Sequence, residues 1–190
     1  MTGSAAVSHA HAVRAEVDAI AVGSETVLVD DPLLTPRGAD RQRPLVRVLF
    51  DTRMRTPPSA RVLTTCEEGP VVVITTEAAV EAWATRARAL ERAGAVIEAL
   101  PARDPAAAMT RLVAYDVSDV LLEGGALLHR AAWAAGVVDR VRLYVAPVVL
   151  GPTGVPWMPD GRFSFTALVG RRTRCLGEDQ LLEADVQRID

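Results

Sequence analysis

An apolar run that ends in glycine and is followed by two acids occupies residues 18–37. Ala19–Val22 predict a buried strand, and Asp30 and Asp31 come just before Pro32, which ends a short predicted helix. A strand of this kind carries polar side chains to the carboxyl edge of a parallel sheet, where binding crevices form. Asp30 is the stronger candidate for an active-site acid, because the residue before a proline is held extended and Asp31 would point outward.

A second strand-to-helix turn, in residues 120–128, repeats this arrangement. Three apolar residues precede Glu123, Gly124 and Gly125, and a helix is predicted to follow. The glycine pair lets a phosphate approach the backbone, and the helix N-terminus supplies free N–H donors and the positive end of a dipole. A tight turn without a ligand would have the same sequence. Together with residues 18–37, the turn favours an α/β enzyme that holds a phosphorylated cofactor against a small polar substrate.

Arginine supplies all 21 basic side chains of the sequence, so lysine chemistry of the Schiff-base or P-loop kind is excluded. A guanidinium group donates two parallel hydrogen bonds to a phosphate. Residues 51–53, with Thr52 and Arg53, follow a predicted strand and could read the 2′-phosphate of a dinucleotide. In the loop at residues 34–44, Arg41 and Arg43 are interpreted as solvated surface residues.

Composition excludes several classes of protein. With 24 acidic residues and a net charge of −3, the chain lacks the basic surplus of a nucleic-acid-binding protein. The 2 cysteines and 3 histidines are too scattered for a disulfide framework or a zinc site. No apolar run has the ~18 residues of a membrane helix, and no signal peptide is evident, so a cytoplasmic location is expected. The Gly-x-Gly-x-x-Gly fingerprint is absent, which argues against an ordinary Rossmann dehydrogenase.

The 190 residues predict a single domain, residues 1–190, whose pattern changes near residue 135. Strands and helices alternate before that point, as in a parallel sheet with right-handed crossovers, and strands predominate after it, as antiparallel additions at an edge. We expect helices at residues 4–17, 25–31, 76–93, 104–115 and 125–135. We expect strands at residues 19–22, 46–50, 71–74, 95–100, 120–122, 141–145, 163–169 and 181–186.

Five segments in their order along the chain carry a family resemblance: residues 11–14, 18–37, 48–57, 121–125 and 138–151. Together they resemble the reductase half of the bacterial bifunctional riboflavin-biosynthesis deaminase-reductase. The resemblance implies a dihydrofolate-reductase-like, three-layer α/β fold: a mixed, mostly parallel sheet flanked by helices, with antiparallel C-terminal strands. It also implies a homodimer.

The same resemblance implies an NADPH-dependent reduction of 5-amino-6-(5-phosphoribosylamino)uracil to the ribitylamino product. Arg14 and Arg37 would suit the 5′-phosphate, Glu123 the pyrimidine or ribose, and Asp30 would also order the nicotinamide or the reacting carbon. Asp30 and Glu123 are thus the catalytic candidates. The residues assigned to substrate are Arg14, Leu34, Arg37 and Glu123. Those assigned to NADPH are Thr26, Asp30, Thr52, Gly124, Gly125, Ala126, Leu127 and Leu128, with Arg53 added from its position after a strand.

Two parts of the family pattern are not found in this sequence. The family begins its reductase domain with a strand that contains a lysine, whereas this sequence begins at Met1-Thr-Gly-Ser. We therefore expect an open sheet edge where that strand would pair. The zinc signature of the deaminase domain is not found either, which suggests a separate deaminase as a partner.

Three hypotheses follow for the function. The first is the riboflavin-pathway reductase, favoured by Asp30, Arg37 and Glu123, since a phosphoribosyl substrate needs a phosphate partner. The second is a reductase of another heterocycle, such as a dihydropterin. The third is a non-catalytic relative that binds a nucleotide or dimerises, favoured by the missing strand.

Overall fold

A five-stranded parallel sheet forms the centre of the fold, in the order β4-β3-β2-β1-β5. The structure is a computed structural model that describes residues 2–35, 41, 43–152, 154–158 and 163–187. The parallel strands are β1 (Ala19–Gly23), β2 (Val46–Phe50), β3 (Val71–Thr76), β4 (Ala95–Leu100) and β5 (Val120–Leu122). The helices are α1 (Ser4–Glu16), α2 (Ser24–Asp30), α3 (Glu77–Ala82), α4 (Ala84–Arg92), α5 (Pro105–Leu112) and α6 (Ala126–Ala134).

The parallel sheet is buried on both faces, as its unbroken apolar runs predict. In β1, Ile20 and Val22 belong to one hydrophobic cluster, whereas Ala19 and Ala21 belong to the cluster on the opposite face. Side chains of α4 pack into the first cluster and those of α5 into the second. The helices therefore flank the sheet on two sides, and the predicted three-layer arrangement is confirmed.

The C-terminal strands form a second sheet of their own. Strands β6 (Arg140–Val145), β7 (Leu168–Leu176) and β8 (Asp179–Val186) pair antiparallel in the order β6-β8-β7. The expected antiparallel C-terminal strands are thus confirmed, but the expectation that they extend the edge of the parallel sheet is wrong. Within the described residues, β5 pairs with β1 alone and β6 with β8 alone.

Strands β5 and β6 are edge strands of their two sheets, and charged residues at their ends influence one another. The pKa of Arg140, at the start of β6, is raised by its hydrogen bond and ion pair with Asp185, with a further contribution from Asp119, just before β5. At the other end, burial raises the pKa of Tyr144 in β6, and Glu123, just after β5, adds to the effect. Charges at the starts of β5 and β6 are thus near enough to influence one another, and so are charges at their ends. The open sheet edge expected from the sequence is present among the residues that the structure describes.

Helix α1 spans both sheets. Near its start, the Gly3 N–H donates to Asp179 at 2.6 Å, beside the β7–β8 turn. Six residues further on, the His9 ring bonds to the Tyr144 hydroxyl of β6 at 2.8 Å. Near its end, Arg14 reaches Glu123 beyond β5. The helix thus attaches the small sheet to the parallel sheet and places Arg14 at the carboxyl edge of β5.

Three local expectations are wrong. The helix expected over residues 76–93 divides at Trp83, whose φ of −126° and ψ of 35° are not helical. The strand expected over residues 163–169 begins at Leu168 and continues through Gly170, with a bulge between Val169 and Arg172. Finally, Arg41 is not a solvated surface residue, because its guanidinium donates to the backbone carbonyls of Arg14, Ala15 and Val17 at the end of α1.

Candidate functional site

An ion pair between α1 and the turn after β5 stands at the carboxyl edge of the parallel sheet. The Arg14 Nε lies 2.7 Å from Glu123 Oε1, and Nη2 lies 2.5 Å from Oε2. The two side chains are 20% and 28% exposed, so the pair is largely shielded from solvent. Two parallel bonds of this kind fix both groups in position and direction.

Two consecutive acids, Asp30 and Asp31, lie at the end of α2 and have different surroundings. Asp30 is the last residue of the helix and is exposed. Asp31 adopts a left-handed conformation with φ 39° and ψ 57°, and its carboxylate accepts a 2.8 Å hydrogen bond from the Arg61 backbone N–H. The expectation that Asp31 is extended because it precedes a proline is therefore wrong: ending the helix with a left-handed residue outweighs that preference.

A cleft of about 240 Å³ opens beside these residues. Its walls are Arg14, Asp30, Arg61 and residues 32–35. Leu34 has a left-handed φ of 57°, which reverses the direction of the backbone at the wall of the cleft. Its side chain is buried in the core and holds this segment in place. Among the residues that the structure describes, the cleft thus combines the guanidinium groups of Arg14 and Arg61 with the Asp30 carboxylate, a polar lining suited to a small, polar, phosphorylated ligand.

The glycine turn after β5 lies against α2. Gly124 and Gly125 have φ values of 69° and 89°, which disfavour any residue with a side chain. A Cβ on Gly124 would lie 3.3 Å from the Thr26 hydroxyl oxygen, so the two crossover turns touch at this point. Helix α6 begins immediately afterwards at Ala126. Because the two residues before the helix are glycines, no Cβ of the turn stands beside its free N–H groups, as close approach of a phosphate requires.

A buried acid organises the loop after β2. The Asp51 carboxylate accepts hydrogen bonds from the Thr56 N–H at 2.7 Å, the Thr56 hydroxyl at 2.8 Å and the Arg53 N–H at 3.3 Å. Thr52 is half-buried and Arg53 is exposed in the turn that this acid holds. Arg55 leaves the same loop toward α2, where it bonds Ser24 at 3.2 Å and pairs with Glu25 at 2.8 Å.

The structure gathers most of the predicted site residues around one edge. Arg14, Asp30 and Leu34 line the cleft, Glu123 is bound to Arg14, and Thr26 touches the glycine turn that leads to Ala126, Leu127 and Leu128. Thr52 and Arg53 lie after β2, beside β1 in the same sheet. Arg37 lies outside the described residues.

Sequence reasoning missed Arg61. Arg61 begins a 3₁₀ helix, Arg61–Glu68, which follows two prolines and has no clear periodicity. Its role in the cleft arises only from tertiary packing, although a third arginine close to residues 51–53 was a signal in the sequence. Within the described parts of the chain, no cluster of His, Cys, Asp and Glu could hold a metal ion.

Comparisons with known proteins identify the family of the chain. Residues 1–182 match the family described as the RibD C-terminal domain. The 2,5-diamino-6-ribosylamino-4(3H)-pyrimidinone 5′-phosphate reductase of Methanothermobacter thermautotrophicus is 34% identical over 98% of this chain and 90% of its own length. The riboflavin biosynthesis protein RibD of Mycobacterium tuberculosis is 39% identical over 74% of this chain and 33% of its own length. The chain thus spans most of the first relative and about a third of the second.

Solved structures show the same fold. Acinetobacter baumannii RibD superposes with a TM-score of 0.76 and 25% identity, over 98% of this chain and 52% of that one. A pyrimidine reductase-like protein of Corynebacterium diphtheriae gives a TM-score of 0.78 over 99% of this chain and 83% of that one. Among the described residues, none of the helices is long and apolar enough to cross a bilayer. From the match over residues 1–182 and the identity with these relatives, the chain belongs to the RibD C-terminal domain family.

Proposed function

We propose that the chain is an oxidoreductase that uses NADPH to reduce the ribose of a 5′-phosphoribosylamino-pyrimidine to a ribityl group in riboflavin biosynthesis. The observation that carries the proposal is the convergence of Arg14, Asp30 and Leu34 on one cleft in a chain of the RibD C-terminal domain family. Relatives that match this chain are named as a pyrimidinone 5′-phosphate reductase and as RibD.

The residues around the glycine turn fit a dinucleotide. Gly124 and Gly125 leave room for a pyrophosphate at the N-terminus of α6, and Thr26 offers a hydroxyl next to them. Exposed Arg53 and the adjacent Thr52 would bind the 2′-phosphate that distinguishes NADPH from NADH. When bound, the reduced nicotinamide supplies the hydride.

The chain's own residues bind and orient the substrate. The Arg14–Glu123 pair gives the pyrimidine or ribose an acceptor whose direction is fixed by two hydrogen bonds. Asp30 stands exposed at the cleft and orders the reacting end of the sugar. Its carboxylate would stabilise the positive charge that forms on nitrogen when the sugar ring opens to an iminium, before hydride addition to C1′ discharges it. No protein nucleophile is required, because the residues need only position and polarise the reactants.

Two heterocycles are candidates, and they share the phosphoribosylamino group. The sequence resemblance implies 5-amino-6-(5-phosphoribosylamino)uracil. The reductase from Methanothermobacter, of which this chain covers 90%, is named for the 2,5-diamino-pyrimidinone 5′-phosphate, and this favours the diamino compound as second candidate. The oligomer we infer is a homodimer. This chain covers 38% and 50% of the length of two RibD relatives, which therefore extend beyond the matched region. A deaminase that acts on the other pathway step is the protein partner we infer.

The test is a spectrophotometric assay of NADPH oxidation with each of the two pyrimidines. We expect turnover with at least one of them, and a loss of about 10²-fold in kcat for Asp30→Asn, since a charge that stabilises the transition state is removed. Arg53→Ala should raise the KM for NADPH and leave the KM for NADH unchanged. Arg103→Ala, another exposed arginine after a strand, is the matched control. Absence of turnover with both pyrimidines, in protein that is folded by circular dichroism, would refute the proposal.

A further inference from the structure

The C-terminus of α1 is capped by a side chain from another segment of the chain. The residue after the helix, Val17, is extended with φ −100° and ψ 157°, so the left-handed turn that often satisfies the last carbonyls of a helix is not formed. The Arg41 guanidinium takes its place. It donates from Nη1 to the Arg14 and Ala15 carbonyls at 2.9 and 2.6 Å, and from Nη2 to the Val17 carbonyl at 2.6 Å. Its positive charge also lies at the negative end of the helix dipole.

Arg41 belongs to the same segment as one wall of the cleft. Residues 32–35 line the cleft, and Leu34 among them is buried in the core. Arg41 follows shortly afterwards, and its Nε donates to the Arg43 carbonyl at 3.1 Å, so that the guanidinium binds its own segment as well as the helix. Arg41 therefore joins the segment of this wall to the helix that carries Arg14, another residue of the cleft lining.

Arg14 is consequently held at both of its ends. Its carbonyl accepts from Arg41 at 2.9 Å, and its guanidinium donates to the two oxygens of Glu123 at 2.7 and 2.5 Å. A helix terminus without such contacts frays, because its last carbonyls have no partner in the protein. Fraying of this turn would move the Arg14 backbone, and with it the Arg14–Glu123 pair at the cleft.

Few donors of Arg41 remain for a ligand. Its three nitrogens make four hydrogen bonds, all of them to backbone carbonyls. Since a guanidinium has five N–H groups, the fork with which an arginine binds an anion is already occupied. Any contribution of Arg41 to the reaction is therefore indirect and passes through the backbone of α1.

We propose that Arg41 is a positioning residue for the reductase reaction. It fixes the end of α1 and the segment of the cleft wall relative to one another, so that Arg14 and residues 32–35 are preorganised for the pyrimidine substrate. This inference rests on the proposed function and deepens it, since it adds a residue that touches neither substrate nor cofactor. Preorganisation reduces the conformational entropy lost when a ligand binds. Arg41 therefore affects binding of the pyrimidine more than binding of NADPH, because the glycine turn and the loop after β2 lie on other elements.

The experiment measures the affinity of the full chain for 5-amino-6-(5-phosphoribosylamino)uracil by calorimetry without cofactor, and for NADPH by fluorescence. We expect Arg41→Ala to weaken binding of the pyrimidine by about tenfold and to leave the NADPH affinity within about twofold. Arg41→Lys should restore part of the affinity, because it keeps the charge at the helix end but not the planar fork. Arg43→Ala is the matched control, since Arg43 is exposed and takes part in this contact only through its backbone carbonyl.

Hydrogen exchange followed by mass spectrometry tests the route through α1. In Arg41→Ala, the amides of residues 13–17 should exchange about tenfold faster than in the wild type, whereas those of α6 should be unchanged. Circular dichroism checks that each variant is folded. Arg41→Lys carries the same comparison if Arg41→Ala does not fold, with smaller changes in the same direction.

Four results would overturn the inference. They are unchanged pyrimidine affinity in Arg41→Ala, an equal loss of affinity for the pyrimidine and NADPH, a loss of the same size in Arg43→Ala, and unchanged exchange at the end of α1. Turnover separates the inference from the proposed function. A wild type that binds the pyrimidine in an Arg41-dependent way but does not oxidise NADPH contradicts the proposed function alone. A wild type that turns over while Arg41→Ala keeps full affinity contradicts the inference alone, and a wild type that does not bind the pyrimidine contradicts both.

Discussion

The two sheets of this protein are held in place by different means. In the parallel sheet, the apolar side chains of β1 and of the first four residues of β3 are buried, and helices cover both faces. In the antiparallel sheet, β7 is exposed along most of its length, and buried side chains are restricted to a few positions such as Leu168, Leu181 and Ala184. The larger sheet therefore derives its stability from core packing, and the smaller one from cross-strand pairing and from contacts with α1.

Polar contacts are more prominent in the smaller sheet. Arg140 pairs with Asp185 at 2.7 Å, and Arg142 with Glu183 at 2.9 Å, each between directly opposite residues of β6 and β8. Such pairs contribute only about 0.2–1 kcal/mol each. The cleft and the glycine turn both lie on the parallel sheet, whose core packing is the more extensive of the two. Tight packing there maintains the geometry that a reaction needs.

The largest effect in this comparison is expected for Arg47→Met. Arg47 is 1% exposed, and its guanidinium satisfies the carbonyls of Val62, Thr65 and Gly69. Methionine fills similar space but leaves these buried acceptors unpaired, which should lower the free energy of unfolding by about 3 kcal/mol. Urea titration monitored by circular dichroism measures the loss, and Arg88→Met is the exposed control. A loss below about 1 kcal/mol would show that water reaches the carbonyls.

A matched pair of substitutions contrasts the two sheets directly. Val73 in β3 is 0% exposed and Val169 in β7 is 43% exposed. Val73→Ala should cost about 2 kcal/mol, from the apolar surface lost and the cavity left, whereas Val169→Ala should stay within about 0.5 kcal/mol. Similar losses in the two variants, measured by the same urea titration, would contradict the distinction between the sheets.

The smallest effect is expected at the contact between α1 and the small sheet. His9 accepts a hydrogen bond from Arg174 through Nε2, since arginine only donates, so Nδ1 carries the proton given to Tyr144. Burial, followed by the charge of Arg174, lowers the pKa of His9. The unfolded chain therefore takes up a proton near the ordinary pKa of about 6.5 before the folded one does, and stability falls as the pH falls from about 7 to 5.

The measurement for His9 is the midpoint of thermal unfolding at pH 7.5 and 5.5. We expect His9→Gln to lose about 1–2 °C less than the wild type over this interval, which corresponds to a few tenths of a kcal/mol. His129→Gln, on α6, is the control for histidine titration elsewhere. An unchanged pH response in His9→Gln would show that the contact does not titrate.

Much of the parallel sheet could be predicted from the sequence, because its strands are short apolar runs separated by helix-forming segments. The helix predicted from residue 104 begins as α5 at Pro105, and the Asp104 side chain accepts hydrogen bonds from the backbone N–H groups of Ala106 and Ala107. The division at Trp83 could not be predicted, since its apolar neighbours maintain a helical spacing across the break. That β6, β7 and β8 form a sheet of their own could not be predicted either. Whether a strand joins the edge of another sheet depends on which strands lie next to it in the folded chain.

The candidate site was predictable where backbone requirements dictate residue type. The glycines after β5 and the acid at the end of α2 are of this kind. Arg61 was not predictable, because its place at the cleft depends on a hydrogen bond to Asp31, thirty positions earlier in the chain. Nor did the sequence indicate that Arg14 and Glu123, assigned separate contacts with the substrate, are bound to one another.

The open edges of β5 and β6 bear on how copies of this chain avoid one another. An unpaired strand is a template for intermolecular β-pairing, the first step toward fibrous self-association. Strand β5 has 3 residues, too few to give an incoming chain a long register. Strand β6 has 6, but Arg140 and Arg142 place charged side chains, each paired with a carboxylate of β8, at alternate positions along it. Brevity at one edge and charge at the other are two different safeguards against the same hazard.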